Sequence, residues 1–187
     1  GKQTGSWVSN ISYFEESNTF DPNDLGYNSN NNKRNISGMV EYRIFKPFWK
    51  LNRFSANLGG AYNRLYFPNV FTQATLGLNL FAVTKKFMAC GFGINGALSE
   101  TNDYFEPRTV GRFYILPKGT RIGGWFSSNY QKRFALDGGG NYIIYSASDW
   151  QEFNFNLSPR LRITKKIFLT LSHEEIFQFN QIKFANA

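Results

Sequence analysis

Apolar and polar side chains take turns along this chain. In "QEFNFNLSPRLRI", residues 151–163, one parity holds Phe153, Phe155, Leu157, Pro159, Leu161 and Ile163. The other holds Glu152, Asn154, Asn156, Ser158, Arg160 and Arg162. A strand directs alternate side chains to opposite faces, so this spacing predicts a strand with one apolar and one polar face. The pattern recurs. Over 36–46, Ile36, Val40, Tyr42 and Ile44 oppose Ser37, Glu41 and Arg43, with Met39 out of phase. Over 53–63, Phe54, Ala56, Leu58 and Tyr62 oppose Ser55, Asn57 and Asn63. Over 72–82, Leu76, Leu78 and Leu80 oppose Thr75, Gly77 and Asn79, and over 87–98, Cys90, Phe92 and Ile94 oppose Gly91, Gly93 and Asn95. Over 134–145, Phe134, Leu136, Tyr142 and Ile144 oppose Ala135, Asp137, Gly139 and Asn141. The stretches 5–17 and 121–131 alternate less cleanly, and a last strand is predicted to begin at Ile167.

Each strand spans about 10–13 residues, longer than the roughly 5–6 of soluble strands and close to the 9–11 of a tilted membrane strand. The second face is small and polar, which suits a wet interior better than a second packed layer. A soluble sandwich shares the alternation but uses shorter strands. The expectation is therefore an all-β fold, an antiparallel up-and-down transmembrane β-barrel. Four short connections, 47–52, 84–86, 131–133 and 164–166, are basic and fall at one end when the strands alternate in direction. The long ones, 18–35 and 100–120, fall at the other with 67–70 and 146–150, as external loops do. This topology needs about nine strands, with 100–120 as one loop and no separate strand over 110–117. Nine is odd and leaves two edges, so residues 1–187 are expected to be part of one larger outer-membrane barrel domain.

Composition sharpens this. Aromatic residues make up 18 % of the 187, and Gly occurs 17 times. Mean hydropathy is −0.39, and no window has the roughly 20 apolar residues of a membrane helix. One cysteine, Cys90, excludes an internal disulfide framework. The net charge of +8 is spread over turns and alternating positions rather than gathered in a run, so nucleic acid is not an expected partner. The expected partner is outer-membrane lipid, with other outer-membrane or periplasmic proteins as further partners.

The loop sequences add a resemblance. "FDPNDLGYNSNNN" (20–32), "NRLYFPN" (63–69), "NDYFEPRTVGRFYI" (102–115), "GGWFSSNYQKRFALD" (123–137) and "NFNLSPRLRI" (154–163) resemble a family of Bacteroidota outer-membrane proteins of unknown function. Its members pair an N-terminal carbohydrate-binding-module-9-like domain with a C-terminal outer-membrane barrel. The resemblance covers nearly all of this chain, in the order of that barrel. It implies the outer membrane of a Gram-negative bacterium and a barrel architecture, with no catalytic residue to carry over. The carbohydrate-binding part is not in this sequence.

Candidate chemistry is sparse. Asp21, Asn23 and Asp24 have oxygen-ligand spacing but lack the Gly and bidentate Glu of a Ca²⁺ loop, so an Asx turn is the simpler reading. Asp103, Tyr104, Phe105, Glu106, Arg108 and Arg112 combine aromatics with charges. They suit a sugar-stacking ledge, a plug contact or, more simply, the small core of a long loop. Glu41, Arg43, Asp137, Glu152, Asn154, Asn156, Arg160 and Arg162 are predicted to face the lumen, where they would set ion selectivity or pair with one another. Leu76, Leu78, Leu80, Phe92, Ile94, Phe153, Phe155, Leu157 and Leu161 are predicted to face lipid. Ser172 and the single His, His173, tempt a hydrolase reading, but adjacent strand residues face opposite ways. No catalytic residue, metal site or cofactor is expected. The leading function is a pore, an uptake barrel or a membrane anchor for an attached module. The alternatives are a structural subunit of an outer-membrane complex and, last, a lipid- or glycan-acting enzyme, for which no nucleophile–base arrangement stands out.

Overall fold

The computed structural model describes residues 5–21, 31–107, 109, 111–146 and 149–180. Among them there is no helix. The strands are β1 (Trp7–Glu16), β2 (Lys33–Ile44), β3 (Leu51–Leu65), β4 (Phe71–Thr84), β5 (Ala89–Ala97), β6 (Thr101–Asp103), β7 (Tyr114–Leu116), β8 (Gly119–Ser127), β9 (Phe134–Tyr145), β10 (Gln151–Arg162), β11 (Phe168–Thr170) and β12 (His173–Phe179). One antiparallel sheet runs β1-β2-β3-β4-β5-β8-β9-β10, and β11 and β12 share the position beyond β10. Apart from the β5–β8 and β10–β12 pairings, each strand of this sheet pairs with its neighbour along the chain, the up-and-down order expected from the alternation.

One expectation is corrected. The segment 110–117 does contain a strand: β7 pairs with β6 in a separate two-stranded sheet. At three residues each, these strands are too short for alternation to register. They leave the direction of the main strands unchanged, because β5 pairs directly with β8. The sheet has the two open edges that the odd strand count implies: among the described residues β1 pairs only with β2, and β11 and β12 only with β10.

The gap between β11 and β12 has a local cause. Leu171 N donates to the Pro159 carbonyl at 3.1 Å. An antiparallel hydrogen-bonded pair exchanges two such bonds, and Pro159 has no N–H to return the second.

Register carries the two faces across every strand. One row reads Ser9, Val40, Leu58, Leu78, Ile94, Ile122, Tyr142, Phe153 and Phe177. The row one residue along reads Val8, Glu41, Asn57, Asn79, Gly93, Gly123, Asn141, Asn154 and Ile176. Burial is the reverse of a soluble sheet. The apolar row lies open, with Leu78 and Ile94 each 40 % exposed and Phe153 42 %. Val8, Ser55, Ala135 and Ile143, which are buried, lie on the polar face. No described side chain is buried below 2 % exposure, so no packed core lies on either side.

The two ends differ in charge. Four short turns, 45–50, 85–88, 128–133 and 163–167, lie at one end. They carry Lys46, Lys50, Lys85, Lys86, Lys132, Arg133, Lys165 and Lys166 and no Asp or Glu. Hydrogen bonds fasten them side by side. Lys85 N donates to the Lys50 carbonyl at 2.9 Å and Asn129 Nδ2 to the Lys86 carbonyl at 3.1 Å. Arg162 reaches the previous turn through its N to the Arg133 carbonyl at 2.7 Å and its Nη2 to the Tyr130 carbonyl at 2.8 Å. The long connections between β1 and β2 and between β5 and β8 lie at the other end, with Glu15, Glu16, Asp21, Glu100, Asp103 and Glu106.

Candidate functional site

Among the described residues, the polar face is the one extended arrangement of polar groups. Its floor pairs a large side chain with a glycine directly across the ladder. Asn95 lies opposite Gly77, Asn79 opposite Gly93, Asn141 opposite Gly123, Asn156 opposite Gly139 and Trp125 opposite Gly91. A Cβ added at Gly77 would sit 2.0 Å from Asn95 Oδ1, and one at Gly123 would sit 2.1 Å from Asn141 Oδ1. The glycines are therefore seats into which neighbouring amides lie flat.

The amides then reach each other along the face. Asn79 and Asn95 exchange two hydrogen bonds of 3.2 Å. Asn154 Oδ1 accepts from both Nδ2 and N of Asn141 at 3.1 Å. Nearer the long-loop end, Asn35 Nδ2 donates to Asn63 Oδ1 at 2.6 Å. The surface bounds a hollow of about 460 Å³ over Asn57, Asn79, Asn95, Arg121, Asn141 and Asn156. A second hollow, of about 820 Å³, continues toward the long-loop end beneath Thr101 and Leu116 of the β6–β7 hairpin. Its wall includes the stacked rings of Tyr145 and Trp150, 4.0 Å apart.

Charged groups rim this floor. Glu41 and Arg43 pair at 2.5 Å, two residues apart and hence on one face. Glu152 accepts from Gln178 Nε2 at 2.8 Å. Tyr130 donates its hydroxyl to Asp137, and its ring lies 4.5 Å under the Arg160 guanidinium. The Nε groups of Arg43 and Arg160 and Oδ1 of Asp137 are shielded without a hydrogen-bond partner. Such groups are satisfied in proteins by ordered water when no side chain reaches them.

Register gathers Glu41, Arg43, Asp137, Glu152, Asn154, Asn156, Arg160 and Arg162 on this one face. Leu76, Leu78, Leu80, Phe92, Ile94, Phe153, Phe155, Leu157 and Leu161 lie on the opposite one. Arg121, Trp125 and the Asn79–Asn95 pair also belong to the polar surface, although the sequence reading had not singled them out as site residues. The parity of Asn79 and Asn95 was available as a signal. That of Arg121 was blurred by the weak alternation of its strand.

In the second long loop, Asp103 accepts from the N–H groups of Phe105 at 2.8 Å and Glu106 at 3.1 Å, an Asx turn. Tyr104 packs on Phe113 with ring centres 5.0 Å apart, so this loop has a small core of its own. Phe105 is exposed. Asp21 is exposed in the first loop, whereas Asn23, Asp24 and Arg108 lie outside the described residues. Ser172 and His173 point apart: the Ser172 hydroxyl bonds Ser158 at 3.3 Å, while His173 pairs with Glu175 at 3.0 Å and lies across from Leu157 on the apolar face. Among the described residues, no three His, Cys, Asp or Glu side chains converge as a metal site would require.

No curated protein and no solved structure matches this chain. A protein family does. The profile described as "Domain of unknown function (DUF5916)" matches residues 1–187, so the chain, over its whole length, belongs to that family.

Proposed function

We propose that this chain is a stretch of transmembrane β-barrel wall in the outer membrane of a Gram-negative, Bacteroidota-like bacterium. Its apolar face lies against lipid and its polar face lines the interior of a pore or uptake barrel. One observation carries the reading: large apolar side chains are exposed row upon row on one face, while Val8, Ser55, Ala135 and Ile143 are buried on the small polar one. In water, exposed apolar area costs about 25 cal/mol per Å², and a continuous patch this broad marks an interaction surface. Strand length agrees, since β2, β4, β9 and β10 run 12–14 residues and a tilted strand crosses lipid in about 9–11. The open edges of β1 and of β11 and β12 would be paired by further strands, because unpaired backbone is not tolerated in hydrocarbon. The amide and glycine floor offers polar contacts and little bulk, which suits passage of a hydrophilic solute. The resemblance to barrels that carry a carbohydrate-binding-module-9-like domain supports an added role as that module's anchor.

The test is site-directed labelling on a background in which the native cysteine of the apolar face is removed by Cys90→Ser. Nitroxide labels are placed at 78, 94 and 155 and, separately, at 79, 95 and 154, with the protein in liposomes. The expected result is relaxation of the first set by dissolved oxygen, which concentrates in lipid, and of the second by a water-soluble nickel chelate. Nickel accessibility equal on both faces would overturn the reading.

A further inference from the structure

The short-turn end holds a cleft that the barrel reading leaves unused. It has a volume of about 910 Å³ and is bounded by two kinds of surface. On the strand side lie Met88, Phe134 and Leu136, with Phe134 and Leu136 on the apolar face across from Leu161 and Pro159. On the turn side lie Lys50, Lys85, Lys86 and Lys132. These cations come from three separate turns and are held together by the bonds from Lys85 N to Lys50 O and from Asn129 Nδ2 to Lys86 O. None of the four is ion-paired with a carboxylate among the described residues. The Trp49 ring lies 5.3 Å from Lys50 Nζ, and no described carboxylate offsets the four charges.

A second observation points the same way. Two of these turns place a bulky aromatic in the left-handed backbone region, Trp49 at φ 45° and Phe87 at φ 59°. Gly or Asn is the ordinary occupant there. Both side chains stand out from the protein, Trp49 at 75 % exposure and Phe87 at 55 %. Exposed aromatics on strained backbone beside clustered lysines are costly in water. They are favourable at a membrane surface, where aromatic rings sit at headgroup level and lysines meet anionic headgroups.

We propose that this cleft is a binding site for an anionic phospholipid of the leaflet at the short-turn end, with its phosphate among Lys50, Lys85, Lys86 and Lys132 and its acyl chains along Met88, Phe134 and Leu136. The proposal rests on the membrane reading above. The opposite end mixes its carboxylates with Lys33, Arg34, Arg64, Arg112 and Lys118, and Glu16 and Glu15 pair with the first two, so the all-lysine cleft is one-sided, and the ligand must combine a tail with a negative head. A free phosphate meets only half of the surface.

The test is native mass spectrometry of the full-length protein in detergent micelles with phosphatidylglycerol or phosphatidylcholine titrated in. The native protein is expected to retain phosphatidylglycerol about tenfold better than phosphatidylcholine, given the attraction of several lysines to an anionic head. The combined variant Lys50→Gln, Lys85→Gln, Lys86→Gln, Lys132→Gln is expected to lose that preference, and Lys165→Gln with Lys166→Gln, outside the cleft, to keep it. Glycerol phosphate at equal concentration is expected not to displace the lipid. Equal retention of the two lipids by the native protein would overturn the site, as would undiminished preference in the fourfold variant or displacement by glycerol phosphate. Flotation of the native protein with neutral vesicles separates the two readings: flotation without a lipid preference ends the site alone, and failure to float ends the membrane reading beneath it.

Discussion

At the scale of single residues, the polar face works by opposing a flat amide to a missing side chain. The two seats at Gly77 and Gly123 differ in what a methyl group would strike. At Gly77 the nearest atoms all belong to the Asn95 side chain, which can turn away. At Gly123 the methyl would also lie 2.7 Å from the Gly140 carbonyl oxygen, which is backbone. Gly77→Ala is therefore expected to break the Asn79–Asn95 pair at a cost of about 1 kcal/mol. Gly123→Ala should force the strands apart and cost more, about 1–3 kcal/mol. Unfolding midpoints in denaturant, measured with the protein in detergent, rank the two, and the opposite order would refute the seat. The glycines and asparagines were readable as one parity in the sequence. Which glycine meets which asparagine was not, because that depends on the register between separate strands.

At the scale of elements, the long strands announced themselves through alternation and the short ones did not. The strand over 134–145 has the bounds its alternation predicts, because twelve residues give a period of two ample length to repeat. β6 and β7 carry three residues each, and their pairing is decided by the Asx turn at Asp103 and the Tyr104–Phe113 contact rather than by a pattern. The break between β11 and β12 was legible in principle from Pro159, once its partner across the ladder is known. Pro159→Val restores an N–H opposite Leu171 and is expected to join the two strands. Amide hydrogen exchange over 168–176 should slow, and unchanged exchange would mean that another constraint makes the gap.

At the scale of the whole molecule, the sheet is inverted relative to a water-soluble one, and the inversion makes a signed prediction. Leu78 sits in the middle of the apolar row and is 40 % exposed. If that row faces lipid, Leu78→Arg should destabilise the membrane-inserted protein by about 2–4 kcal/mol. If it faces water, the same change at an exposed position should lie within about 0.5 kcal/mol of neutral. Asn79→Arg, one residue along and on the opposite face, should cost only the Asn79–Asn95 pair, about 1 kcal/mol, in either case. Reversible unfolding from liposomes measures both variants, and a neutral Leu78→Arg would count against a lipid-facing wall.

The sequence by itself determined the long strands, their order and the two faces. Each of these follows from a local rule, alternation along one strand and short connections between neighbours, that needs no knowledge of distant residues. Only the tertiary structure decided which glycine seats which amide, that the long excursion after β5 folds into its own hairpin, and that the lysines of separate turns converge on one apolar cleft. Those features arise between segments far apart in the chain. Their geometry depends on register and on cross-turn hydrogen bonds, which a one-dimensional pattern does not encode.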